Sequence, residues 1–116
     1  MDFIDSTGTW LHIPLPTPVI VGDVRTKIGT VFLMFKAENC AIHQIHVYDG
    51  PGKVAEFNQV LLTGDHMTGL DAWNTHHFVP HTVVWGMGIS FFVRSSITAG
   101  VRKRLIVAAA GGDFNV

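Results

Sequence analysis

The sequence predicts an all-β protein, an antiparallel two-sheet β-sandwich (jelly-roll-like) of seven or eight strands, with a small β-barrel as the alternative. Three observations carry this. The 116 residues are 47% hydrophobic and only 15% charged, enough apolar material for one core in a single β domain over residues 1–116. The residue balance is wrong for surface helices: two glutamates and four lysines stand beside twelve glycines and many β-branched and aromatic side chains. Short apolar runs also alternate with turn signals along the whole chain, without an internal repeat or a low-complexity stretch.

The elements follow in order. Residues 10–13 open the strand pattern and meet Pro14, Pro16 and Pro18, which lack a ladder donor and make an edge or an extended lead-in. Residues 19–21 and 24–28 flank Gly22-Asp23, and a glycine in first position suits a type II′ hairpin. Residues 30–36 form a dense apolar strand, expected to be buried on both faces. Residues 41–48 form another, stopped by the turn cluster Asp49-Gly50-Pro51-Gly52. Residues 54–57 and 60–63 are shorter candidates, and residues 64–80 read as a long irregular loop. Residues 81–93 are the longest strand candidate. Val83, Trp85, Met87, Ile89, Phe91 and Val93 would face the core, and Val84, Gly86, Gly88, Ser90 and Phe92 the other side. Residues 105–110 make the last strand, ended by Gly111-Gly112.

Composition also excludes function classes. A net charge of -1 gives no general grip on nucleic acid. Arg102-Lys103-Arg104 is too short for a nucleic-acid stripe and reads as a charged loop guarding a strand end. Residues 1–5 lack the basic and apolar regions of a secretory signal. The apolar stretches at 31–35 and 105–110 fall far short of the roughly 20 residues that span a bilayer. Cys40 is the sole cysteine, so an intrachain disulfide is excluded and an inert buried thiol is expected. The expected address is the cytoplasm, with no membrane and no nucleic acid as partner.

Four segments taken in order resemble a family of short microbial proteins with no established activity: His46-Val47-Tyr48-Asp49-Gly50-Pro51, Gly64-Asp65-His66, Trp85-Gly86-Met87-Gly88-Ile89-Ser90 and Ala109-Ala110-Gly111-Gly112-Asp113-Phe114. The resemblance covers nearly the whole chain. It implies a compact single β domain and supplies no catalytic residues.

Seven histidines are the first chemical oddity, since imidazole is the commonest metal ligand and the usual acid–base group near neutral pH. His43 and His46, three apart, point to opposite faces of a strand and cannot share an ion there. A zinc site would need His66, His76 or His77, and His81 gathered from separate loops; scattered structural histidines are the expectation, with no metal and no cofactor. The loop at 64–77 concentrates Asp65, His66, Asp71, Trp73 and Asn74. Asp65 beside His66 suggests an oriented general base, whereas the bland reading has Asp65, Asp71 and Asn74 closing Asx-turns and Trp73 tucked onto the core. On the strand at 41–48, Gln44, His46 and Tyr48 share a face with Ile42. Turned inward, they would make a hydrogen-bonding wall, with Gly86, Gly88 and Ser90 as floor opposite.

Gly86-Met87-Gly88-Ile89-Ser90 is not a nucleophile elbow, because Phe91 follows the serine. Phosphate-binding glycine loops do not occur. Two functions remain. The first is a binding or self-assembly module for a small apolar molecule or glycan, using Gln44, Trp73, Asn74, Trp85 and Ser90. The second is a small cofactor-free enzyme (a cyclase, isomerase or lyase) with His46, His66, Asp65 and Tyr48 as its acid–base groups. The enzyme predicts that at least two of those four converge; the module predicts an exposed aromatic patch or an apolar cavity. Mean hydropathy of +0.32, traced to residues 31–35, Val84 and Phe92, further predicts a homo-oligomer.

Overall fold

One strand organises the molecule. In the computed structural model, which describes residues 2–3, 8–22, 24–58, 60–95 and 103–115, the stretches at 30–36 and 41–48 fuse into a single strand, β5 (Lys27–Asp49), of 23 residues. Straight, it would run roughly 76 Å at about 3.3 Å per residue, yet the longest axis of the molecule is 54 Å. The strand therefore bends, and its irregularities show where. The ladder shifts register at Gly29, between Ile28 and Thr30, on both flanks. Asn39 takes a left-handed φ of 55°, which asparagine tolerates better than most residues. A third slip falls at His43, between Ile42 and Gln44.

Each irregularity exchanges the two faces of the strand, because side chains alternate with period two. The inward set accordingly runs Ile28; then Val31, Leu33, Phe35 and Ala37; then Cys40 and Ile42; then Ile45, Val47 and Asp49. The bulge at His43 puts Ile42 in the core beside Ile45 and Val47, so Gln44, His46 and Tyr48 lie on the opposite face from Ile42. Uniform alternation, which placed them together, fails because it assumes a regular ladder.

Around β5 the other strands attach antiparallel. One flank receives β6 (Gly52–Phe57), β7 (Leu62–His66) and β8 (Thr75–Thr82). The other receives β10 (Lys103–Asn115) along the first half and β9 (Met87–Ser95) along the second. β2 (Thr9–Pro14) borders β9, and β1 (Asp2–Phe3) borders the start of β10. The result is an all-β antiparallel fold in which one eight-stranded sheet, built around β5, curls into a half-barrel. A small hairpin, β3 (Ile20–Val21) with β4 (Val24–Arg25), sits beside it. Gly22 has the positive φ of 56° that the turn demands; Asp23 lies outside the described residues.

Three other sequence expectations change. Residues 81–93 are two strands, because residues 83–86 turn around the carboxylate of Asp49. The irregular stretch at 64–80 contains the end of β7 and most of β8. The last strand does not stop at Gly111-Gly112: β10 keeps its pairing with β5 through to Asn115, and Gly111 leaves the space that the Phe32 ring fills. The basic run at 102–104 falls partly outside the described residues. No helix among the described residues is long and apolar enough to cross a membrane. Cys40 is buried and donates toward the Arg104 carbonyl, and burial pushes its thiol pKa up, as an inert thiol requires.

Candidate functional site

The second half of β5, with β6, β9 and β2, presents a solvent-facing surface laid out by register. Met87, Ile89, Phe91 and Val93 of β9 take the core, which leaves Gly88, Ser90 and Phe92 outward. Pairing then aligns rows across the strands. Lys53, Tyr48, Gly88 and Pro14 form one; Glu56, His46, Ser90 and His12 the next; Gln44, Phe92 and Trp10 the third. The polar row Gln44–His46–Tyr48 does lie beside Gly88 and Ser90, but on the outside of the sheet.

Local contacts fix the rings of this face. His46 Nε2 donates to Asn58 Oδ1 at 2.9 Å, and its ring lies 4.8 Å from Trp10 and 6.4 Å from Tyr48, centroid to centroid. Trp10 also leans on Phe92 at 5.4 Å. Ser90 Oγ shares a hydrogen bond with His12 Nδ1 at 2.5 Å. Because Gly88 has no side chain, the first row dips between Tyr48 and Pro14, making a concavity of about 470 Å³ closed at one end by His12 and Ser90.

At the end of β5 the surface meets a turn built around one carboxylate. Asp49 is 5% exposed and accepts four hydrogen bonds: from His81 Nε2 at 2.7 Å, Val84 N at 2.8 Å, Trp85 N at 2.9 Å and Gly86 N at 3.0 Å. Burial opposes its charge, but these donors prevail and hold its pKa at about 2. Gly50, at a φ of 56°, lets the turn close under Trp85: a Cβ there would come within 2.9 Å of the indole. Trp85 itself is 71% exposed. With Val79, Val84, Pro51 and Pro80 it walls a second concavity of about 560 Å³, whose polar lining includes His81 and Lys53.

The loop at 67–74 is a separate assembly. His66 Nδ1 donates to Asp71 Oδ2 at 3.0 Å and Nε2 to the Thr63 carbonyl at 2.8 Å. Both ring nitrogens face acceptors, which favours the ring carrying a proton on each. Burial works against that charge, yet Asp71 and Thr63 raise the pKa overall. Asp71 Oδ1 also accepts from Trp73 N and Asn74 N. Asn74 is fully buried and donates to the His66 and Gly69 carbonyls while accepting from Asp71 N and Thr75 Oγ1. Asp65 closes its own short turn on Met67 N. The Asx-turn reading thus describes the loop, with one change: Trp73 stacks on His66, rings 14° apart, and stays 46% exposed instead of tucking onto the core.

The four proposed acid–base residues therefore divide. His46 and Tyr48 neighbour each other near the end of β5; His66 and Asp65 lie on β7, opposite Phe35 and Lys36 in the first half of β5. Asp71, not Asp65, orients His66. The pair the sequence did not single out is His81 with Asp49, joined across 32 positions; no short motif signals such a contact. Among the described residues no group of three or more His, Cys, Asp or Glu is placed to hold a metal ion. His76 is buried against Phe57 with its Nε2 unpartnered, and burial, helped by His77, lowers its pKa.

The sequence pattern of a family of unknown function, DUF6623, matches residues 2–108. No curated protein and no solved structure matches the chain.

Proposed function

The chain belongs to that family of unknown function, and from its geometry we propose a binding module whose ligand, a small molecule or glycan, docks against Trp85. One observation carries this reading. A nearly buried carboxylate accepts from three N–H groups of a turn and from the neighbouring His81 ring, and the outward product of that turn is a tryptophan 71% exposed. Tryptophan on a rigid support loses little entropy on contact and supplies a large apolar face with a polar N–H edge. The neighbouring Val79, Val84 and prolines extend the apolar wall, and His81 and Lys53 provide hydrogen-bonding edges. That combination suits a ligand with an apolar ring face and polar substituents. The same face is where a second copy of the chain would associate; sedimentation at micromolar concentration tests this, and a mass near that of one 12.7 kDa chain refutes it.

Trp85→Ala is the test of the ligand site. Screened by indole fluorescence and array binding against glycans and apolar metabolites, the wild-type protein should find a ligand that the variant binds at least tenfold more weakly. Equal binding by both proteins would overturn the reading.

A second reading has one specific support. His81 is held through Nε2 by Asp49, and its ring lines the Trp85 concavity, the arrangement of an oriented general base. The activity on this reading would be that of a small cofactor-free cyclase, isomerase or lyase. His81→Gln separates the two: it should abolish turnover if the site is catalytic, and leave equilibrium affinity within a few-fold if it only binds.

A further inference from the structure

The Trp85 concavity does not end at the turn. Pro51 lines it and also lines the dip over Gly88, so the two hollows adjoin across a single proline. Beyond Pro51 the rings continue: Tyr48 walls the dip, His46 lies 6.4 Å further and Trp10 a further 4.8 Å. At one end the dip is lined by the exposed His12 imidazole, which the buried Ser90 hydroxyl holds through Nδ1 and which can exchange hydrogen bonds with ligand hydroxyls through its other nitrogen. Gly88 is what opens it. A Cβ built there meets nothing nearer than the Ile13 carbonyl at 3.6 Å, so the hollow comes from a missing side chain and the backbone does not require glycine.

We propose that this dip is a second subsite and that the ligand is a carbohydrate chain, two or more linked sugar rings running from Trp85 across Pro51 to Tyr48. The proposal rests on the Trp85 reading and adds the ligand's class and direction. Sugar rings present C–H faces that pack on aromatic surfaces and a rim of hydroxyls that both donate and accept. Apolar rings flanked by imidazole, hydroxyl and ammonium groups complement them. A compact apolar molecule would fill one hollow and leave the polar end of the other unused. Two hollows joined at a ridge reward a linked ligand, because the second unit binds at high effective concentration once the first is held.

The experiment is an array and calorimetric titration of the full chain with mono-, di-, tetra- and hexasaccharides of neutral and acidic glycans. Wild type, Trp85→Ala, Gly88→Leu and Tyr48→Ala are compared. Wild type should bind a tetrasaccharide at least tenfold more tightly than its monosaccharide. Gly88→Leu, whose side chain fills the dip, should reduce tetrasaccharide binding to the monosaccharide level. Tyr48→Ala should also reduce the gain with length, which guards against a folding defect in the leucine variant. Length-independent binding that Trp85→Ala removes and Gly88→Leu does not would overturn the second subsite and keep the first. Absence of glycan binding at every length would overturn the carbohydrate assignment, while the small-molecule screen of Trp85→Ala decides the Trp85 reading separately.

Discussion

Two turns of this molecule use the same three residue types to opposite ends. In each, an aspartate accepts from a histidine ring and from the backbone N–H groups of a turn that carries a tryptophan. Asp49, His81 and Trp85 make one set; Asp71, His66 and Trp73 make the other. The difference lies in where the aspartate sits. Asp71 is exposed and reaches partners two to five positions away, so it ties a loop to itself. Asp49 is buried at the end of the central strand and reaches partners 32 to 37 positions away, so it fixes a turn to the body of the sheet. The tryptophans follow suit. Trp73 spends a ring face on His66, at 5.3 Å between centroids, whereas Trp85 stands 71% exposed above its turn. A local tie makes a loop stable, and a long-range one holds a surface ready for something else.

Removing the carboxylates breaks the comparison most directly. Asp49→Ala strands three turn N–H groups and the His81 ring, and should cost about 3 kcal/mol or more in urea unfolding. Asp71→Ala, in the same assay, should cost clearly less. Equal losses would end the distinction between the two anchors. The acid side sharpens it. With the Asp49 pKa lowered from 3.8 to about 2, its contribution is fully present above pH 4 and disappears as pH falls toward 2; it amounts to about 2 kcal/mol at roughly 1.4 kcal/mol per pKa unit. Asp49→Asn should flatten that part of the stability profile.

The asymmetry also explains what the sequence made legible. Asp71, Trp73 and Asn74 lie within four residues, so their Asx-turn can be read from the chain. The alternation of residues 83–93 is equally local: of the six side chains it places inward, Val83, Met87, Ile89, Phe91 and Val93 are in the core, and Trp85 is turned out by the bend around Asp49. Asp49 reads only as a turn residue, because nothing near it in sequence names His81 or Val84. The side occupied by Gln44, His46 and Tyr48 was hidden for a related reason. A bulge at His43 is a property of the pairing with β9, not of the strand's own residues. Pattern reasoning recovers what one segment decides and loses what two segments decide together.

Histidine titration separates the two regions further. Burial, helped by His77, holds the His76 pKa below its ordinary 6.5, so the folded state resists protonation and its burial costs stability as pH falls below 6.5. His76→Leu removes that penalty and the orphaned nitrogen, and should gain about 1 kcal/mol at pH 5 with a smaller change at pH 8. A variant equally affected at both pH values would show the imidazole is not neutral inside. His66 carries the opposite sign. Its pKa is raised above 6.5, so the tie to Asp71 is intact below that value and weakens as pH rises through the folded pKa. Hydrogen exchange at Trp73 and Asn74 should accelerate with pH beyond its intrinsic rate, while Trp85 and Gly86, bonded to Asp49, show no such step.

The smallest expected effect discriminates most. Trp85→Ala should change unfolding stability by less than about 0.5 kcal/mol, as for other surface substitutions, because the turn hangs on backbone N–H groups that alanine retains. Trp73→Ala removes a stacked ring from His66 and should lower the melting temperature measurably more. If Trp85→Ala proves the more destabilising, its indole is structural and the rigid turn exists to serve packing. If it is nearly silent, the fold keeps a large apolar ring in water without using it for stability. Water gives no return for that exposure, since an indole left in solvent forgoes the gain of burial. Contact with a ligand or with a second copy of the chain would recover that gain, and a Trp85→Ala variant silent in unfolding but deficient in ligand binding would locate the ligand contact at the end of the central strand.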